Sequence, residues 1–187
     1  LQQTFDEQFL DNERGGYYFS AADSEQVLIR NKEAYDGALP SANSVAMMNL
    51  VRLSRLTGNT DYDETAEGIG KQFSSYVEQS PAGFTHLVQA LLMAHNPGFE
   101  IILAGEHGDE ELQKMKREVR QRYLPHSVIL LLENADSDSE SRNKLNKLAT
   151  FLKHYPENNE QATAYICRNY ACEKPVHTVD EMRALLG

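Results

Sequence analysis

The chain has 187 residues, 41% of them hydrophobic and 25% charged, the balance of an ordinary globular protein rather than a disordered or fibrous one. Its 18 Lys and Arg against 28 Asp and Glu leave a formal charge of −10, which repels phosphate backbones and anionic lipid and argues against nucleic acid as a partner. Apolar runs such as residues 128–132 fall far short of the ~18 residues of a membrane span, so no membrane partner is expected. The 2 cysteines do not make a disulfide-dense scaffold, and a reducing, cytoplasmic setting is expected.

Leu1, Phe5 and Phe9 fall at i, i+4 spacing, so a helix is under way at the first residue and the sequence reads as an excised piece. The acidic opening, with Asp6, Glu7 and Asp11, does not resemble a signal peptide. Gly15 and Gly16 stop the helix, and Tyr17, Tyr18 and Phe19 suggest a strand that returns through Val27, Leu28 and Ile29 as a short hairpin. In the loop 35–41, Gly37 permits unusual dihedrals and Pro40 keeps Leu39 extended until Ser41 caps a helix. That helix, 42–56, is apolar at Val45, Ala46, Met47, Met48, Leu50, Val51, Leu53 and Leu56, which predicts a mostly buried element. A second helix carries the narrower stripe Tyr62, Ala66, Ile69, Phe73 and Tyr76, and a third, 84–94, places Phe84, Leu87, Val88, Leu91 and Leu92 on one face.

After Pro97 and Gly98 the pattern changes. Residues 99–104 read as a strand, Leu112, Met115, Val119 and Tyr123 as the inner face of a helix, and 127–132 as a buried strand. A loop at 134–141, a helix with Leu145, Leu148, Leu152 and Tyr155 inward, a loop at 156–161, a strand at 162–167 and a helix at 179–186 complete the alternation. The expected architecture is α plus α/β: a helical part, 1–96, and a small α/β domain, 97–187, with a short, mostly parallel sheet.

The densest set of short polar groups is Lys32, Glu33, Tyr35, Asp36, Ser41, Asn43 and Ser44. Asp36 and Asn43 are planar bidentate groups of the kind that hold adjacent sugar hydroxyls, and Tyr35 supplies an aromatic face. The competing reading is that Ser41 and Asn43 cap the helix and Asp36 stabilises the turn. Cys167 and Cys172 are too widely spaced for a thioredoxin-type centre, and a zinc site would need His177 and a further ligand such as His154 to converge on them. They remain candidates for a redox pair, for a reactive thiol, or for two partly buried structural cysteines. The turn 103–109 lacks the three-glycine pattern and the P-loop lysine, so no cofactor or metal is expected there, and Asp109 reads as a helix cap. His86 and His95 are assigned no role.

The run Lys32-Glu33-Ala34-Tyr35-Asp36-Gly37-Ala38-Leu39-Pro40-Ser41-Ala42-Asn43-Ser44, followed by Leu50, Arg52, Leu53, Leu56, Thr57 and Gly58, resembles the spermatogenesis-associated, thioredoxin-domain-containing protein family. The run Ala162-Thr163-Ala164-Tyr165-Ile166-Cys167, with Cys172, Pro175 and Val176, and the earlier Gly15-Gly16-Tyr17-Tyr18-Phe19 with Asp23, are similar to the same family in the same order. Ala42 stands where the family usually has glycine.

The resemblance implies a longer parent: a thioredoxin-like domain, an α/α toroid of the N-acylglucosamine 2-epimerase and six-hairpin glycosidase kind, and a small tail. On that basis 1–96 would be the toroid's closing helical hairpins, and the upstream domains would be the chain's partners. Ligands in such toroids are reached by loops at inner-helix ends, which favours Asp36 as a catalytic group with Tyr35, Ser41 and Asn43 binding a sugar. The rival expectations are thiol chemistry by Cys167 and Cys172 with the upstream thioredoxin-like domain, and a purely structural piece whose exposed helical faces pair in a homodimer.

Overall fold

The computed structural model describes residues 1–24, 29–134, 139–155, 161–168 and 171–187. The expected returning strand at Val27 and Leu28, and most of the expected loops 134–141 and 156–161, lie outside the described residues. The chain divides into two compact units, Leu1–Ser54 with Asn59–His95, and Arg55–Gly58 with Asn96–Gly187.

The first unit is helical: α1 (Gln2–Phe9), α2 (Ala42–Thr57), α3 (Asp61–Gln79) and α4 (Thr85–His95), with a 3₁₀ turn at Pro81–Gly83. Half of the 16 residues of α2 are buried, against 3 of 19 in α3, so α2 is the wrapped helix and α3 the half-wet one. The core is built from Ala46, Met47, Leu50 and Val51 of α2, Ala66, Ile69 and Phe73 of α3, and Leu87, Ala90 and Met93 of α4. Three positions expected on apolar faces, Val45, Tyr76 and Leu92, are instead exposed. Ala90 and Met93 supply the buried face of α4 that the sequence reading assigned partly to Leu92.

α1 buries no residue of its own and is held from outside. Phe5 stacks on Tyr17 with ring centroids 4.4 Å apart, and the Tyr17 hydroxyl donates to Asp6 at 2.5 Å. Among the described residues Tyr17 makes a bridge with Leu10, and the Phe19 amide donates to the Asn31 carbonyl. The chain reverses through Gly15 and Gly16, both at φ near +75°, a region that side chains other than glycine disfavour.

The second unit contains β1 (Phe99–Glu106), α5 (Glu110–Gln121), β2 (Val128–Asn134), α6 (Ser139–Leu148), a 3₁₀ turn (Thr150–His154), β3 (Thr163–Arg168), β4 (Ala171–Cys172) and α7 (Val179–Leu186). The strand order is β2-β1-β3-β4. One sheet face, through Ile101, Leu103, Ala164 and Ile166, packs on Leu112, Met115 and Val119 of α5 and on Val179, Met182 and Leu186 of α7. The other, through Ile102, Ala104 and Leu132, packs on Ala149 and Leu152.

The expectation of a mostly parallel sheet is corrected. β1 and β2 are parallel, as a helical crossover requires. β3 runs antiparallel to β1, with Thr163 opposite Ala104, and β4 antiparallel to β3. Strand and helix alternation carries no information about the end at which β3 enters; it enters beside the end of β1. Tyr123 and Leu148, expected inside, are exposed: α5 has ended before Tyr123, and α6 gives way after Leu148 to a tighter 3₁₀ turn that keeps Leu152 inward but not Leu148. Local caps behave as the sequence indicates. Asp109 accepts from the Leu112 amide at 2.8 Å, and Thr178 with Glu181 forms a capping box on α7.

A side chain on Gly15 would place its Cβ 2.6 Å from the Gly68 carbonyl oxygen in a left-handed backbone, whereas one on Gly68 would meet only the Gly15 Cα at 3.6 Å. Gly15→Ala is therefore expected to lose about 2 kcal/mol or more in chemical denaturation. Gly68→Ala is expected to be neutral or to gain up to about 1 kcal/mol from helix propensity. Equal effects at the two positions would contradict this packing.

Candidate functional site

The loop before α2 is fixed by Asp36. Its Oδ1 accepts from the Ser41 amide at 2.8 Å, and its Oδ2 accepts from the amides of His86 at 2.8 Å and Leu87 at 3.1 Å. The Asp36 amide in turn donates to the Gly83 carbonyl at 2.8 Å. The residue preceding α4 is Phe84, which has no capping oxygen, so Asp36 supplies a cap from 50 positions upstream. A carboxylate suits that place, where unpaired amides and the helix dipole both favour negative charge.

Burial pulls the Asp36 carboxyl up, but hydrogen bonds from Ser41, Ser44, Leu87 and His86 outweigh it, and the group is held below its ordinary value. It stays ionised at neutral pH with both oxygens occupied. Asp36, expected as a catalytic group, stands here with both oxygens on backbone amides, where it positions the loop.

Ser41 caps α2, its hydroxyl accepting from the Ser44 amide at 3.1 Å and pairing with the Ser44 hydroxyl at 2.8 Å. Asn43 is fully buried, and its amide is spent on backbone: Oδ1 accepts from the Tyr17 amide at 2.6 Å, and Nδ2 donates to the Tyr17 carbonyl at 2.9 Å and the Glu33 carbonyl at 2.8 Å. Asn43 thus ties the reversal at Tyr17 to the loop.

Tyr35 is different. Its ring is exposed and stands edge-on to Phe84, with centroids 6.2 Å apart at 85°. It borders a concavity of about 330 Å³ whose walls include Tyr18, Phe19, Glu33, Leu39 and Ser41.

Asp11, which the sequence places only in the acidic opening, braces the opposite flank. Almost fully buried, it pairs with Lys32 at 2.6 Å and accepts from the Tyr18 hydroxyl at 2.7 Å. The Lys32 and Tyr18 hydrogen bonds hold its carboxyl well below the usual range. Arg30 lies over the Tyr18 ring at 4.1 Å. Lys32 was visible in the polar run, but the sequence separation from Asp11 gave no spacing signal.

In the second unit Cys167 and Cys172 face each other across β3 and β4 and form a disulfide. Cys167 is buried and Cys172 exposed. His177 sits apart from them, its Nδ1 3.2 Å from the Thr163 hydroxyl. Among the described residues no three His, Cys, Asp or Glu side chains converge as a metal-binding group, and no helix is long and apolar enough to cross a membrane.

Asp36→Ala would leave three amides without their acceptor, at a cost of about 1–3 kcal/mol in urea unfolding. A carboxyl whose folded pKa is depressed contributes stability above its unfolded value, about 3.9, and loses it as pH falls through the folded value. The difference between wild type and Asp36→Ala is therefore expected to be flat from pH 5 to pH 8 and to shrink below about pH 4. A difference that grows on acidification would contradict the assignment.

No family model matches the chain. Over all of its 187 residues the chain is 34% identical to human spermatogenesis-associated protein 20 and 33% identical to the rat protein of that name. An uncharacterized protein of Caenorhabditis elegans matches at 25% identity over the same length. The chain spans 23% of the length of the human and rat proteins. By sequence, then, it is homologous along its whole length to about a quarter of spermatogenesis-associated protein 20.

Proposed function

We propose that this chain is the carboxy-terminal part of a carbohydrate-binding or carbohydrate-processing protein built around an α/α toroid, and that the concavity beside Tyr35 is a sugar subsite. The observation that carries the reading is an exposed aromatic ring beside a hollow of about 330 Å³ whose polar frame is held rigid by Asp36 and Asn43. The C–H face of a sugar stacks on Tyr35, and vicinal hydroxyls meet the exposed Glu33 carboxylate and the Ser41 hydroxyl. Asp36 and Asn43 contribute by preorganisation, which lowers the ordering cost of binding. Catalysis, where the parent performs it, falls to groups upstream of this chain.

The test is a thermal-shift screen of the full-length parent against monosaccharides and N-acyl amino sugars. A ligand bound only by the folded state raises Tm by mass action. The expected outcome is a sugar-dependent shift that Tyr35→Ala abolishes while leaving the sugar-free Tm within about 1 °C of wild type, as befits an exposed ring. No shift with any sugar, or a shift that survives Tyr35→Ala, would overturn the proposal.

A thiol-redox reading has the Cys167–Cys172 disulfide in its favour. It predicts that the parent, supplied with a dithiol reductant, reduces a protein disulfide substrate, and that Cys172→Ser abolishes turnover.

A further inference from the structure

The second unit holds a cavity that neither reading uses. It has a volume of about 280 Å³ and is lined by Leu56, Leu130, Phe151, Tyr155 and both halves of the Cys167–Cys172 disulfide. The hollow is partly open to solvent and leaves apolar surface wet that an occupant would cover.

Its walls are built to hold shape. Phe151 and Tyr155 meet edge to face at 6.2 Å, and Tyr155 and Tyr165 do so at 4.7 Å. On the other side β4 is only two residues long and pairs only with β3, too short an element to stay in place on ladder hydrogen bonds alone. The disulfide supplies the missing tie, and the Tyr155 hydroxyl lies 3.8 Å from the Cys172 Sγ.

We infer that this cavity binds a compact, uncharged aromatic molecule, and that the disulfide is a redox-sensitive wall of the site. An apolar cavity of about 150 Å³ accepts a single benzene-sized ring, so about 280 Å³ admits a fused pair. The lining surface is mostly carbon and sulfur, with Arg55, Glu100 and His154 among its charged or titratable residues, which favours an uncharged ligand body. Arg55, among the lining residues, donates to the backbone carbonyls of His126 and Asn96. His154, exposed at the wall, suits a ligand carrying one hydroxyl or N–H, such as a phenol or an indole.

A dithiol reductant breaks the Sγ–Sγ bond by delivering two electrons and two protons. It leaves two thiols on the protein and closes to its own disulfide. Reduction frees β4 from its covalent tie and loosens the wall that carries Cys172. By linkage, a ligand that prefers the oxidised wall must also oppose reduction.

Indole is the probe, used with the full-length parent. Calorimetric titration is expected to show binding to the oxidised protein, at least threefold weaker binding after reduction with dithiothreitol, and at least tenfold weaker binding to Leu130→Phe, whose added ring fills the hollow. Thiol release by dithiothreitol is expected to slow at least threefold in saturating indole, a readout that does not depend on how the variant folds. A crystal soaked in indole is expected to show density between Leu130, Phe151 and the disulfide. No density there, unaltered binding by Leu130→Phe, or a rate of thiol release indifferent to indole would overturn the inference. Because the sugar subsite lies in the other unit, its thermal shift is expected to survive both Leu130→Phe and reduction, so the two proposals fail separately.

Discussion

Three backbone amides, those of Ser41, His86 and Leu87, converge on the two oxygens of one carboxylate. α2 and α4 both begin at this point, so Asp36 joins the starts of two core helices that are far apart in sequence. The join also fixes the loop before α2: with Ser41 and Asp36 held, Pro40 and Leu39 have a defined course, and Tyr35 is set against Phe84. The exposed ring is held in place by the buried acid beneath the loop.

The same arrangement explains why the polar residues of the loop divide into two kinds. Groups with several hydrogen-bonding atoms and short side chains, Asp36 and Asn43, are drawn inward and saturated by backbone, as buried polar groups must be. Groups with long or aromatic side chains, Glu33 and Tyr35, stay outside. Asp11 and Lys32 repeat the pattern on the opposite flank: the buried pair at 2.6 Å is accompanied by hydrogen bonds from Tyr18 and from the amides of Glu13 and Arg14, which complete the carboxylate's acceptor sites. A buried charge with that many partners is tolerated where a bare ion pair would not be.

Elements whose cause is local were legible in the sequence. α7 matches its expected span, 179–186, because Thr178 and Glu181 form a box within one turn and the apolar residues follow at helical spacing. α2 was legible from its dense stripe, and Asp109 from its place before a helix. What escaped depends on residues far apart. Nothing in the local spacing of Asp36 points to amides 50 and 51 positions away, so its bracing of the second helix start had no signal in the sequence. The direction of β3 escaped for a related reason, since alternation of strand and helix carries no record of the end at which the chain re-enters the sheet. Cys167 and Cys172 were visible as neighbours, yet their pairing rests on a two-residue β4 too short to register as a strand in the sequence.

The central claim is that one carboxylate holds both helix starts at once. Amide hydrogen exchange in the full-length protein, read by mass spectrometry on peptides spanning residues 38–46 and 83–90, tests it directly in wild type and Asp36→Ala. An alanine removes both accepting oxygens, so neither helix start keeps its acceptor. The account predicts that both peptides lose protection together in the variant, while peptides of the second unit are unchanged. Loss of protection in one peptide alone, or in neither, would contradict it.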